Sequence, residues 1–184
     1  MPKYKTSKEE ILKNAYNVFL EKGYYHTSVS DLSKACNIEK AHFYYYFKDK
    51  RDLMLEVLKF ISDWADKNMF SYAYDTSLQP QERMSKILEV LEKIYSKNHL
   101  GCIFGNTALE TANNDDEFLP VLKNYFNNWK KALVNIYQEK YNMKESEELA
   151  DRFFSELNGT VLMLKVYKDH KFIKTFINNH LKQL

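Results

Sequence analysis

Helix breakers are scarce in this chain: 4 glycines and 3 prolines among 184 residues. Gly costs a helix interior about 1 kcal/mol and Pro about 3 kcal/mol relative to Ala, so their near absence makes an all-helical chain the natural reading. Pro2, Pro80 and Pro120 stand where the periodic pattern starts or restarts. Cysteine is also rare. Cys36 and Cys102 are too far apart for a metal or redox spacing. No stretch approaches the roughly 18–20 apolar residues of a membrane span, and the polar Met1-Pro-Lys-Tyr-Lys-Thr-Ser start has no apolar core of a signal peptide behind it. A reduced, cytoplasmic protein is expected. Charge of one sign is lacking too, since the net charge is only +2. Residues 1–54 hold 10 Lys/Arg against 7 Asp/Glu, or +3, and the remainder 17 against 18, or −1. A weakly basic head on a neutral body fits a nucleic-acid-binding end without requiring one.

What the chain does have is a series of helix starts. Ser7-Lys8-Glu9-Glu10 is a capping box, in which Ser7 caps the free amides and Glu10 reaches back. Ile11, Leu12, Ala15, Tyr16, Phe19 and Leu20 then form one apolar face, and Gly23 ends the helix. Ser28-Val-Ser-Asp31 opens a second helix of about two turns, closed by Asn37, a turn residue tolerant of positive φ. Ile38 anchors a third, from about Glu39 to Phe47. Asp49-Lys-Arg-Asp52 opens a long fourth helix carrying Leu53, Val57, Phe60, Ile61 and Trp64. Two-turn helices are unstable alone. Here the first helix and the start of the fourth prop them, with a tight turn between the second and third: a helix-turn-helix. The chain loosens at about residues 75–80, and apolar stripes then mark five further helices, the eighth from about Ser146 to Tyr167 and the ninth from about Asp169 to Lys182. The expected architecture is an N-terminal three-helix head, residues 1–48, and a helical body, residues 49–184, with about nine helices in all.

The run Gly23-Tyr-Tyr-His-Thr27-Ser28-Val-Ser-Asp-Leu32, followed by Ile38-Glu-Lys40-Ala-His42-Phe43-Tyr44-Tyr45-Tyr46-Phe47-Lys-Asp-Lys50-Arg-Asp-Leu53, resembles the TetR/AcrR family of regulators. The likeness covers roughly Ile11 to Leu58. It implies a recognition helix in the major groove of double-stranded DNA, its N-terminal side chains at base edges. Tyr44, Tyr46 and Lys50 are then phosphate clamps, and Thr27, Lys40, His42 and Tyr45 touch or flank bases. Ser28 and nearby amides at a helix N-terminus would form a small anion site. Three positions depart from the family pattern. Ala41 replaces a frequent Gly, Glu39 a usual Ser/Thr cap, and Cys36 a usual Ala.

Family members pair as two-fold dimers on palindromic operators, which implies a homodimer here. The helices Leu149–Leu164 and Phe172–Leu181 suit the interface. Leu149, Phe153, Leu157, Val161 and Leu164 make one seam, and Phe172, Phe176, Ile177 and Leu181 another. Gly159, costly in mid-helix, suggests close approach of a neighbour. The resemblance also implies a small-molecule effector, of identity unstated by the sequence, held among helices four to seven. Trp64, Leu88, Phe104, Leu109, Phe126 and Trp129 are its expected apolar walls, and Asn106 and Glu110 its polar contacts. Gly101-Cys102-Ile-Phe-Gly105 resembles a segment of one family branch in which a cysteine at this point senses electrophiles, so Cys102 joins the expected ligand residues. The implied function is a ligand-responsive transcriptional regulator, a repressor that the effector releases from its operator.

A helical metal-dependent enzyme is the rival class, suggested by Asp115, Asp116 and Glu117. These acids at a helix start complement its dipole, and the five histidines show no zinc spacing. Neither a catalytic role nor a cofactor is expected. A non-DNA-binding adaptor would leave the Lys40-His42-Tyr44-Lys50 surface without a reason.

Overall fold

The computed structural model describes residues 7–113 and 116–181, so the Asp115 and Lys182 expectations lie outside it. Among the described residues there is no strand. The helices are α1 (Lys8–Lys22), α2 (Val29–Ala35), α3 (Lys40–Tyr46), α4 (Lys50–Asn68), α5 (Pro80–Tyr95), α6 (Ile103–Thr111), α7 (Leu119–Tyr137), α8 (Met143–Tyr167) and α9 (Lys171–Leu181). Two short 3₁₀ segments, Phe70–Tyr74 and Asp116–Phe118, complete the order. Neither was expected from the apolar pattern.

The starts form as the side chains dictate. At α1, Glu10 N–H donates to Ser7 Oγ (3.2 Å) and Ser7 N–H to Glu10 Oε2 (2.9 Å). At α2, Asp31 N–H donates to Ser28 Oγ (3.1 Å), and Ser28 returns both its N–H (2.9 Å) and its hydroxyl (2.6 Å) to Asp31 Oδ2. Asp49 Oδ1 accepts from Asp52 N–H (2.8 Å) at the head of α4. Asn142 and Glu145 form a further box at α8. Each such cap contributes about 1 kcal/mol.

The chain gathers into two compact units. The first holds residues 1–62 and 103–122, hence α1–α3, most of α4, and α6. Its core is Ile11, Phe19, Leu32, Phe43, Phe47, Leu53, Met54 and Val57, all essentially buried. The expected boundary at 48/49 is therefore not where this unit ends. Seven-residue helices cannot stand alone, and the apolar face of α4 belongs to the core that holds them. The turn between α2 and α3 closes as expected: Asn37 adopts φ 52°, and Ile38 N–H reaches back to Ser33 O (3.0 Å).

The second unit holds residues 63–102 and 123–184. Here α5 packs on the Phe70–Tyr74 segment and on α9, and α9 packs on α8. Trp129 lies against Phe70 (ring centroids 4.9 Å) and Phe153 against Phe176 (5.1 Å). Most of the stripes expected to form a dimer seam are instead core of this unit. Phe153, Leu157, Val161, Leu164, Phe176 and Ile177 are buried within one chain, because a stripe at helical spacing looks the same whichever neighbour covers it. The exposed large apolar residues of α8 and α9 are Met143, Leu162, Val166, Tyr167 and Leu181. No side chain lies within 4 Å of a Cβ built on Gly159, so close approach within the chain does not account for that glycine.

Candidate functional site

The outward face of α3 is aromatic and basic. Phe43 and Phe47 are turned inward and leave Lys40, Tyr44 and Tyr45 in solvent, Tyr44 at 57% and Tyr45 at 80% relative exposure. His42 stacks on Tyr46 (5.3 Å, planes 25° apart), and both are half-buried. Tyr45 stands edge-on to Tyr46 (5.1 Å). Large phenols exposed on a two-turn helix need a reason. A polyanion supplies one, since hydroxyls donate to phosphate oxygens while rings pack on sugars and base edges. Glu39 makes no side-chain cap, and its carbonyl accepts the His42 N–H (2.9 Å) at the start of α3.

Three expected contacts are placed elsewhere. Thr27 is buried, its hydroxyl donating to Gly23 O (2.6 Å), which ties the α1–α2 loop rather than facing a groove. Ser28 is exposed, but its amide and hydroxyl already serve Asp31. That carboxylate, itself paired with Lys22 Nζ (2.6 Å), fills the expected anion site. Its pKa is held far below the ordinary carboxylate value, first by the Lys22 hydrogen bond and then by Ser28. Lys50 turns inward: Nζ donates to Tyr24 O (2.7 Å) and sits over the Tyr24 ring (4.4 Å). Burial lowers its pKa, and the charge of Glu110 partly opposes the shift.

Glu110, expected among the effector contacts, is instead part of this loop. Its Oε2 accepts from Tyr25 N–H (3.0 Å). Gly23 adopts φ 79°, and a Cβ there would collide with the Glu110 carboxylate. Lys50, Tyr24 and Glu110 thus clasp α6 to the end of α1, with Tyr24 edge-on to Phe118 (4.9 Å) and Arg51 Nη1 on Glu117 Oε1 (2.7 Å) beside it. The periodic pattern held no signal for this clasp, which joins residues 85 positions apart.

The second unit contains a small enclosed cavity of about 30 Å³. It is lined by Met69, by Leu91, Ile94 and Tyr95 of α5, by Cys102, by Tyr125 and Trp129 of α7, and by Phe154, Leu157, Asn158 and Val161 of α8. Of the nine expected ligand residues only Cys102 and Trp129 line it. Leu88 is buried in the core away from it, and Trp64 is 41% exposed. Phe126 is half-buried, its ring 5.3 Å from that of Phe154. Phe104, Asn106, Leu109 and Glu110 lie on α6, in the first unit, with Phe104 buried, Asn106 half-buried and Leu109 in solvent. The expected stripes of α5 and α8 contain Leu91, Ile94, Tyr95, Leu157 and Val161 of this lining, the α8 pair as part of the expected dimer seam.

Comparison with known proteins fits this geometry. The family model "Bacterial regulatory proteins, tetR family" matches residues 11–57, and "Transcriptional regulator LmrA/YxaF-like, C-terminal domain" matches residues 80–179. The chain is 27% identical to an uncharacterized HTH-type transcriptional regulator in the lacX 3′ region of Lactococcus lactis subsp. lactis, over 90% of this chain and 86% of that one. It is 25% identical to the HTH-type transcriptional repressor DhaR of Mycobacterium sp. (strain GP1), over 92% and 88%. The crystal structure of a TetR transcriptional regulator from Legionella pneumophila superposes with a TM-score of 0.87 at 23% identity, covering 100% of this chain and 98% of that one. The chain belongs to the TetR family of transcriptional regulators: its head is the family's DNA-binding domain and its body an LmrA/YxaF-like C-terminal domain.

Proposed function

We propose that this regulator is a homodimeric repressor that a small molecule releases from a palindromic operator. The observation that carries the DNA-reading part is the exposed Lys40-Tyr44-Tyr45 face of α3. On this reading Lys40 and His42 meet base edges, and Tyr44, Tyr45 and Tyr46 contact or flank bases and backbone, while Ser28 serves to cap α2. Thr27 and Lys50 shape the head instead of touching DNA. A monomer with so short a recognition helix reads few bases, so two heads on half-sites about 34–36 Å apart are needed. The exposed Leu162, Val166 and Tyr167 of α8, with the open surface at Gly159, favour α8 and α9 as the interface between copies. Repression is favoured by the relative named a repressor.

The cavity of the second unit is the proposed effector site. Among its lining is Cys102, and the next residue in the chain, Ile103, begins α6, whose Glu110 holds the α1–α2 loop. A ligand that binds the enlarged cavity shifts the population of the second unit, and the coupling of such an effector to DNA binding is typically about 1–3 kcal/mol. The test is anisotropy titration of duplexes drawn from the gene's own upstream region across a salt series, with light scattering for stoichiometry. Two chains per duplex and a steep salt dependence support the reading. Salt-independent binding, or a monomer on DNA, overturns it.

A further inference from the structure

Resting on the proposal that this cavity holds the effector, its lining further defines the chemistry it accepts. None of the lining residues is Asp, Glu, Lys, Arg or His. Burying an ionised group without a partner costs several kcal/mol, so the cavity selects against anions and cations alike. Tyr95, Tyr125, Trp129 and Phe154 place four aromatic rings among otherwise mostly aliphatic walls, which suits a flat ring stacked or set edge-on. One polar group has a fixed sense. Asn158 Nδ2 donates to Phe154 O (2.7 Å), so that bond assigns the amide orientation and leaves Oδ1 as an acceptor. A ligand group that satisfies Oδ1 must be a donor.

Size adds a second condition. At about 30 Å³ the space holds two waters or so, whereas a benzene-sized guest needs about 150 Å³. A ring enters only if the walls part, and Met69, unbranched and flexible, is the wall most able to yield. A guest that binds only the enlarged form shifts the population toward it. We infer that the effector is an uncharged, single-ring aromatic compound bearing a hydrogen-bond donor, its ring against Trp129 and its donor on Asn158 Oδ1.

The experiment uses the full chain carrying Trp64→Phe, which leaves Trp129 as the one indole of the two in the sequence. Four probes are titrated against its emission and against thermal stability: p-cresol, toluene, p-toluate and benzylammonium. The expected result is a p-cresol Kd about tenfold below that of toluene, the value of one added hydrogen bond, and no saturable response to either ion. Asn158→Leu should bring p-cresol to the level of toluene, and Asn158→Ala serves as a second variant if leucine disturbs α8. Equal binding of p-toluate or benzylammonium overturns the inference, as does a p-cresol preference that survives loss of Asn158, or no response to any probe. Operator release is read separately. An ion that binds the cavity and frees DNA refutes the chemistry while supporting the effector site. Binding of p-cresol as expected with DNA retained at saturation supports the chemistry and refutes this cavity as the effector site.

Discussion

Lys50→Met separates a residue that grips phosphate from one that builds the head. In the structure Nζ donates to Tyr24 O at 2.7 Å, lies 4.4 Å from the Tyr24 ring and balances Glu110. A hydrogen bond from a charged donor contributes about 1.5–3 kcal/mol, and a partly desolvated cation–π contact about 0.5–2 kcal/mol. Half-burial discounts both, and methionine keeps much of the stem's packing, so a net loss of about 2 kcal/mol is expected. For a chain of this length that is a fall in Tm of about 4–8 °C. The slope of log K against log salt should not change, because no phosphate contact is removed, whereas losing one phosphate contact would lower its magnitude by about 0.9. Differential scanning calorimetry gives the first quantity and fluorescence anisotropy the second. A Lys50→Met protein with unchanged Tm and a slope reduced by about 0.9 would refute the inward role and restore the phosphate clamp.

The two thiols should differ in reactivity. Burial pushes Cys36 up to about 11, and its Sγ–H faces Ile11 O (3.7 Å), whereas Cys102 is half-buried and lines the cavity. Iodoacetamide at pH 8 should alkylate Cys102 alone, and mass spectrometry finding Cys36 modified first would contradict this. His180 is held between Phe153 (4.5 Å) and Phe176 (4.4 Å), with its pKa lowered by burial against the opposing pull of Glu156 and with the help of Arg152. Its neutral form is the folded one, so stability should decline as pH falls through the ordinary histidine value of 6.5. In His180→Phe the decline of Tm between pH 7.5 and 5.5 should be shallower; an identical profile removes His180 as the cause. Asp31 has the opposite sense. Its depressed pKa stabilises α2 above the ordinary value of 3.8, and that contribution is lost as pH falls toward the lowered folded value. Asp31→Asn should melt below wild type at pH 7 and converge with it in strong acid, and a constant gap at every pH would contradict the assignment.

The head was legible because its signals are local. Capping boxes at Ser7 and Ser28, the left-handed turn at Asn37 and the inward Phe43 and Phe47 each depend on neighbours within a few residues. Lys50 and Glu110 turn away from their expected roles for one shared reason. A polar side chain at the right offset says nothing about which way it turns until its partner is known, and the partners of Lys50 and Glu110 lie 26 and 85 positions away. The body shows the complementary limit. Leu91, Leu157 and Val161 stood out as apolar stripes, but periodicity cannot tell a residue that fills a core from one that borders a hollow in it.

Gly23 and Glu110 share one space. A Cβ at position 23 would push the Glu110 carboxylate, the acceptor of the Tyr25 amide, out of its present position, at a φ of 79° that already favours glycine. Relatives that carry a larger residue at 23 should therefore carry a shorter one at 110, so the two positions should change together. A close relative with both a bulky 23 and a glutamate at 110 must route its amide elsewhere, and its head would answer to a different tether.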